Sequence, residues 1–401
     1  MALDQLRLGI AGLGRAFMLM LPTFVLHPAI RLVAAADPRP EAQQRFSEDF
    51  SARCYATVEE LCDDPGVDAV YIASPHQYHA DHVAAAAAGG KHVLVEKPMA
   101  LNLEDCRRMI DATREAGVHL IVGHSHSFDQ PYLRTRELIV GGAFGSVRMI
   151  TACNFTDFLY RPRRPEELAT DEGGGVIFSQ AAHQVDIVRL LGGGRVRSVR
   201  ALTGAWDAAR PTEGAYSALL SFEDGAFASL TYSGYAHFDT DEFCDWVGEL
   251  GQRRDANVYG AARKQLRSVA GPEEEAALKN QRAYGARGSF PAIGTEQRLP
   301  NHFGVVLVSC DHADLRPMPQ GIMVYGNEAR ECLPLRPQNV PRAEVIDELL
   351  DAVMHGRQPR HCGEWGLATL EVCLAILQSA REGREIRLQH QVGVALGGSH
   401  A

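Results

Sequence analysis

The chain of 401 residues is 46% hydrophobic and 22% charged, a soluble globular composition long enough for two domains with separate cores. A net charge of −10 argues against a nucleic-acid partner, and Pro22, His27, Pro28 and Arg31 interrupt the apolar stretch from Phe17 to Ala36, so no membrane span is expected. Nine cysteines without a C-x-x-C pair, and a start without a basic region ahead of an apolar run, suit a reducing cytoplasm.

Leu6-Arg7-Leu8-Gly9-Ile10 reads as a first strand and runs into Gly12-Leu13-Gly14-Arg15. One glycine suits a tight turn, and the other lets a pyrophosphate approach backbone N–H groups. Phe17 stands where a third small residue is usual, so helix–strand packing must differ there. A second strand, Ile30 to Ala36, ends at Asp37, 20 positions after Phe17, where a carboxylate accepts from an adenosine ribose. Arg39 nearby could grip a 2′-phosphate instead, so NAD is favoured and NADP is possible. A helix around Val58 to Cys62 and a strand from Val67 to Ala73 follow, the strand ending in Ser74-Pro75-His76-Gln77-Tyr78-His79. After an Ala-rich helix comes His92-Val93-Leu94-Val95-Glu96-Lys97-Pro98. Three apolar β-formers mark a buried parallel strand, and Lys97 lies just beyond its carboxyl end, where α/β sheets bind ligands. Asn102 should cap the next helix, with Gly117 closing it and a strand from Val118 to Gly123 after it. The alternation predicts a doubly wound parallel sheet over residues 1–126.

From Ser127 the texture changes. After a helix around Tyr132 to Ile139, strands come close together: Val147 to Phe155, Val196 to Leu202, Ala215 to Phe222, Phe227 to Tyr235, Val305 to Cys310 and Gly321 to Tyr325. They predict an α+β domain over residues 127–401 with an open, largely antiparallel sheet. The polar, Arg-rich stretch 252–300 interrupts it as a flap or an oligomer contact. Helices Arg342 to His355 and Trp365 to Arg381 and a short strand Glu385 to Leu388 close the chain.

Two further centres carry chemistry. Gly173-Gly174-Gly175 lets the backbone pass close to a ligand and leads into a helix with Ser179, His183 and Asp186 at spacings of four and three, on one face. An imidazole beside a carboxylate is how a general base is oriented, so His183 is expected to be the base with Asp186 behind it. Lys97 would stabilise the oxygen that loses its proton. Upstream, Arg161, Arg163 and Arg164 are spaced by prolines, and guanidinium forks suit carboxylates. The alternative for that cluster is a solvated loop pairing with Glu166, Glu167 and Asp171. His79 with His82, and His124 with His126, lack the companions of a zinc site, and no metal is expected.

Gly9-Ile10-Ala11-Gly12-Leu13-Gly14, Ser74-Pro75 with His79, Glu96-Lys97-Pro98 and the Gly173–Asp186 segment resemble the glucose–fructose oxidoreductase/inositol dehydrogenase (Gfo/Idh/MocA) family. The resemblance implies an N-terminal Rossmann domain and a C-terminal sheet used for homo-oligomerisation as a dimer or tetramer. It also implies a nicotinamide cofactor contacting Gly12, Gly14, Arg15, Asp37, Ser74, Pro75, His79, Glu96 and Lys97, with Lys97 and His183 handling protons. The family's acid four residues before the histidine is Ser179 here, which departs from a plain sugar dehydrogenase. More narrowly, Phe158 to Leu168 and Phe178 to Asp186 are similar to the bacterial phthalate cis-dihydrodiol dehydrogenases. That similarity implies a small-molecule dicarboxylate substrate held by Arg163, Arg164 and Arg161, with Asp186 beside it. The alternatives are a sugar or polyol dehydrogenase of the same family and a dinucleotide-binding regulator that has lost its chemistry.

Overall fold

The structure, a computed structural model, describes residues 5–123, 125–286 and 298–395; His124 and residues 287–297 of the Arg-rich stretch lie outside them. The first layer runs β1 (Leu6–Ala11), α1 (Arg15–Leu26), β2 (Ile30–Ala36), α2 (Pro40–Phe50), β3 (Arg53–Tyr55), α3 (Val58–Cys62), β4 (Ala69–Ile72), α4 (His79–Ala88), β5 (His92–Val95), α5 (Leu103–Glu115) and β6 (Leu120–Val122). The strands are parallel in the order β3-β2-β1-β4-β5-β6. The order reverses between β1 and β4, and the crevice above their carboxyl ends is where such sheets take a dinucleotide. Leu8, Ile10, Val70, Tyr71, Val93 and Leu94 are fully buried because helices cover both faces, which is why these strands read as unbroken apolar runs. The Asn102 side chain accepts from the Asp105 N–H and caps α5, as its spacing predicts. Helix α2 and strand β3 are not evident from the sequence pattern: α2 is polar and buries only Ala42 and Phe46.

The second layer comprises α6 (Gln130–Val140), β7 (Val147–Phe155), α7 (Ala182–Leu191), β8 (Val196–Gly204), β9 (Ala215–Phe222), β10 (Phe227–Ser233), α8 (Ala261–Arg267), α9 (Pro272–Asn280), β11 (Val305–Cys310), β12 (Ala313–Met318), β13 (Gly321–Gly326), β14 (Arg330–Pro334), α10 (Ala343–His355), α11 (Gly363–Glu382) and β15 (Ile386–Arg387). Its sheet has nine strands in the order β14-β13-β12-β11-β7-β10-β9-β8-β15. Strand β10 pairs with β7 in parallel, and the other described pairs are antiparallel. Ile150, Ala152, Leu220, Leu230 and Val308 point into the core beneath α7 and α11, while Leu202 and Leu219 on the opposite face stay exposed. Strands β12 and β14 carry Asp, Arg, Glu and Pro, so their pattern hides them; tertiary pairing with β13 makes them strands.

The two layers share their last helices. Val345, Ile346, Leu349 and Ala352 of α10 complete the core beside Leu21 and Phe24 of α1, and Leu367 and Leu370 of α11 join the core over β5 and β6. The Val122 N–H donates to the His361 carbonyl, tying β6 to the turn before α11. Tyr284 of the Arg-rich stretch lies on the first layer: its N–H donates to the Leu13 carbonyl, and its ring sits 5.3 Å from Phe17.

Candidate active site

The cradle for an anion forms where β1 turns into α1. Gly12 has φ +97°, and a Cβ there would lie 2.9 Å from the Ser74 backbone nitrogen; Gly14, at the N-cap, faces open space. Arg15 opens α1, and its guanidinium is held below the ordinary arginine value by lost hydration and then by the charges of Arg282 and Arg342. An anion bound at this helix N-terminus would offset the positive charges that act on Arg15, so the residues fit a pyrophosphate. Neither Arg282 nor Arg342 carried a sequence signal, because each arrives from a distant part of the chain.

Asp37 is 5% exposed at the end of β2. Its carboxylate accepts from the Leu13 N–H at 2.8 Å and from the Arg39 N–H and guanidinium at 2.9–3.1 Å. Arg39 also donates to the Leu13 and Tyr284 carbonyls, so its guanidinium is occupied and a 2′-phosphate would have to compete for it. Ser74 bonds His82 through its hydroxyl, and its backbone abuts Gly12. His79 is fully buried: its ring nitrogens face the Ser74, Pro98 and Met99 carbonyls. It braces two ligand-facing loops from beneath. Glu96, also buried, accepts from the Tyr71 hydroxyl.

Lys97 follows β5 and donates through Nζ to the Ser179 carbonyl at 2.8 Å. Burial pushes its ammonium below the ordinary lysine value and Arg163 adds to the fall, while Glu96 and Glu249 oppose it. His183 lies within α7, 6% exposed, with ring contacts to His126 at 4.7 Å and Phe303 at 5.3 Å. The His126 backbone N–H donates to His183 Nδ1 at 3.3 Å, so a neutral ring would carry its proton on Nε2.

The expected helical dyad is not made. Residues 177–181 form a π-helical turn that shifts the register, and the Ser179 hydroxyl turns back to the Gly175 carbonyl. Asp186 accepts from the Trp365 indole and the Thr369 and Ser127 hydroxyls instead of orienting His183. It therefore does not take the place expected of it behind His183. The triple glycine also approaches the chain itself, since a Cβ on Gly174 would meet the Glu167 backbone at 2.6 Å.

The arginines separate. Arg163 is 7% exposed, lies 3.6 Å over the Phe158 ring, donates to the Phe158 carbonyl and pairs with Glu167 at 3.5 Å. Arg161 pairs with Asp157 and lines a cavity of about 540 Å³ together with Glu249, Arg254 and Arg282. Arg164 turns to Glu166 and Glu167, the pairing that is the alternative to a place in the site. Sequence reasoning missed Glu249, which lines this cavity and accepts from Asn154. It also missed Tyr232, whose hydroxyl bonds Thr156 and Gln180.

A dinucleotide cradle on the layer that carries a half-buried lysine, together with a buried histidine, defines an NAD-dependent dehydrogenase. Residues 6–124 match the model of the oxidoreductase family with an NAD-binding Rossmann fold, and residues 132–254 match the GFO/IDH/MocA C-terminal domain. The 1-carboxy-3-chloro-3,4-dihydroxycyclohexa-1,5-diene dehydrogenase of Comamonas testosteroni is 49% identical over 94% of this chain and 95% of its own. Myo-inositol 2-dehydrogenase of Thermotoga maritima is 30% identical over 48% of this chain and 57% of its own. The crystal structure of a dehydrogenase-class protein from Bordetella bronchiseptica RB50 superposes with a TM-score of 0.90 at 43% identity, over 96% of this chain and 100% of that one. The chain belongs to the Gfo/Idh/MocA oxidoreductase family.

Proposed function

We propose that this dehydrogenase oxidises a carboxylated aromatic cis-dihydrodiol, such as a phthalate-derived diol, to the catechol. The observation that carries the reading is the buried Arg163 guanidinium, whose Nε has no hydrogen-bond partner among the described residues and is left to receive a carboxylate. The similarity to the Comamonas testosteroni enzyme, whose name specifies a carboxylated dihydroxycyclohexadiene, supports it.

When bound, the nicotinamide accepts the hydride from the carbinol carbon. Lys97, with its lowered proton affinity, takes the hydroxyl proton, and His183 steadies the oxygen from its Nε2–H. The expected roles of the two residues are thus exchanged, because the backbone donor on Nδ1 leaves His183 a hydrogen-bond donor. The ketone product tautomerises to the aromatic catechol, which makes the oxidation favourable. Arg163 and Arg161 engage carboxylate. Residues 1–126 supply the cofactor side and 127–401 the substrate side, with α10 returning to the first. The exposed sheet face around Leu202 and Leu219 is the surface for a homo-oligomer, and the enzyme acts in the cytoplasm. A polyol substrate is the second reading, favoured by Asp157 and Glu249 in the cavity, since carboxylates accept from hydroxyls.

The test is a panel of carboxylated dihydrodiols, uncharged dihydrodiols, inositols and sugars with NAD and NADP, followed by reduced-nicotinamide absorbance. One charge-assisted contact is worth roughly 1.5–3 kcal/mol, about tenfold or more in affinity. Arg161→Ala and Arg163→Ala should each raise KM by about that factor for the carboxylated diol only. Arg164→Ala should leave it nearly unchanged. Equal losses on charged and uncharged diols would assign the arginines to structure.

A further inference from the structure

Behind Lys97 lies a small cavity of about 30 Å³, lined among others by Lys97, Ser125, Asp186 and Thr369. A water needs roughly 10–15 Å³ of such space and two to four polar partners. Ser125 is 5% exposed, and its hydroxyl has no hydrogen-bond partner among the described residues. Leaving a buried hydroxyl unpaired costs on the order of 1–3 kcal/mol, a cost that one bonded water removes. Lys97 and Asp186 offer that water its other partners.

From Asp186 a continuous chain leads away from the site. Its carboxylate accepts from the Ser127 hydroxyl. Ser127 Oγ lies 2.9 Å from His361 Nε2, and His361 Nδ1 lies 2.9 Å from Glu348 Oε2. Ser127 and His361 are fully buried, whereas the Glu348 side chain, on α10, is 14% exposed. The Glu348 carboxylate also accepts from the His361 backbone N–H at 2.7 Å, which holds the imidazole in line.

We propose that a buried water, Asp186, Ser127, His361 and Glu348 form a relay that carries the substrate's hydroxyl proton from Lys97 to solvent. The proposal rests on the alcohol oxidation described above. There the C–H bond breaks with its electron pair going to the nicotinamide, and the O–H bond breaks with its proton going to Lys97 Nζ. The Lys97 ammonium then protonates the water as the water protonates Asp186. Asp186 gives its proton to Ser127 Oγ while Ser127 passes its own to His361 Nε2. His361 releases its Nδ1 proton to Glu348, and Glu348 to water outside. One proton leaves for each hydride transferred. In this structure the Ser127 hydroxyl is turned toward Asp186, so it rotates toward His361 Nε2, and the His361 ring proton returns to Nδ1, before each transfer. Asp186 and His361 are positioning residues for Lys97 and do not touch the reacting atoms.

Two measurements decide it. A high-resolution crystal structure of the NAD-bound enzyme should show a water bonded to Ser125 Oγ and Asp186; a dry cavity would overturn the relay whatever the substrate proves to be. In stopped-flow single turnovers with the best alcohol of the panel, a pH dye reports proton release beside reduced-nicotinamide absorbance. In Ser127→Ala and Glu348→Gln, proton release should lag hydride transfer by about tenfold or more, with a larger solvent isotope effect and unchanged NADH affinity. Glu348→Gln keeps the acceptor that His361 bonds, so it reports even if Ser127→Ala fails to fold. Proton release in step with hydride transfer in Glu348→Gln would make the chain a structural clamp. A wild type that oxidises no alcohol would refute the functional reading, and the crystallographic water would still decide the relay.

Discussion

The two glycines of the β1–α1 turn should respond to alanine in opposite ways. At Gly12, φ is +97°, and the added methyl would sit 2.9 Å from the Ser74 nitrogen and 3.0 Å from the Ala73 carbonyl carbon and oxygen. Left-handed strain of about 1–2 kcal/mol and overpacking of about 1–3 kcal/mol give roughly 2–5 kcal/mol, because backbone cannot rotate aside as a side chain can. At about 2–4 °C per kcal/mol, the cofactor-free Gly12→Ala variant should melt roughly 4–20 °C lower than wild type. At Gly14, the backbone is extended and nothing lies within 4 Å of the added methyl. Gly14→Ala should melt like wild type, yet it fills the space where a pyrophosphate meets the helix N-terminus. Losing one charge-assisted contact there should weaken NADH roughly ten- to a hundredfold. Thermal melts without cofactor and NADH fluorescence titrations separate the two. Wild-type melting of Gly12→Ala, or wild-type NADH affinity in Gly14→Ala, would refute the geometry argued for the cradle.

Asp37→Ala should weaken NAD more than NADP, while Arg39→Ala spares NAD; a wild type with a wide NADP preference would remove Asp37 from ribose recognition. Lys97→Ala should lower turnover by roughly 10²–10⁴-fold while NADH still binds. The rate should rise with pH along one ionisation lying below the ordinary lysine value, and Glu249→Gln should move it lower still by removing an opposing carboxylate; a rise set at the ordinary lysine value would exclude Lys97 as the base. Burial would raise the Glu167 carboxyl, but Lys279, then Arg163 and the Arg164 N–H, hold it at about 2. A depressed carboxylate stabilises the fold above its unfolded pKa and loses that contribution as pH falls toward the folded value. Denaturant titrations should show Glu167→Gln about 1–3 kcal/mol less stable near neutrality, with the gap closing between about pH 4.5 and 2; a gap independent of pH would place the effect in packing.

Local rules make much of the molecule legible in its sequence. Gly12, Gly14, Asp37 and Lys97 stand at strand ends, where backbone geometry and apolar periodicity set position without help from distant residues. The strands Val147–Phe155, Ala215–Phe222 and Val305–Cys310 are readable because one buried face imposes alternation. Strand β12, with Pro317 and alternating polar residues, is not, since it owes its state to β13. Partner choice is equally hidden. Asp186 stands three residues after His183, yet its carboxylate goes to Trp365, Thr369 and Ser127, because folding brings these donors to it from far along the chain. Arg163 and Arg164 are neighbours with the same charge, and only packing over Phe158 sends one inward and leaves the other with surface carboxylates. Sequence by itself therefore determined which chemistry the chain carries and where each strand delivers it. Which charges meet was decided by tertiary structure, because ion pairs and hydrogen bonds form between groups that folding brings within about 3 Å, whatever their separation along the chain.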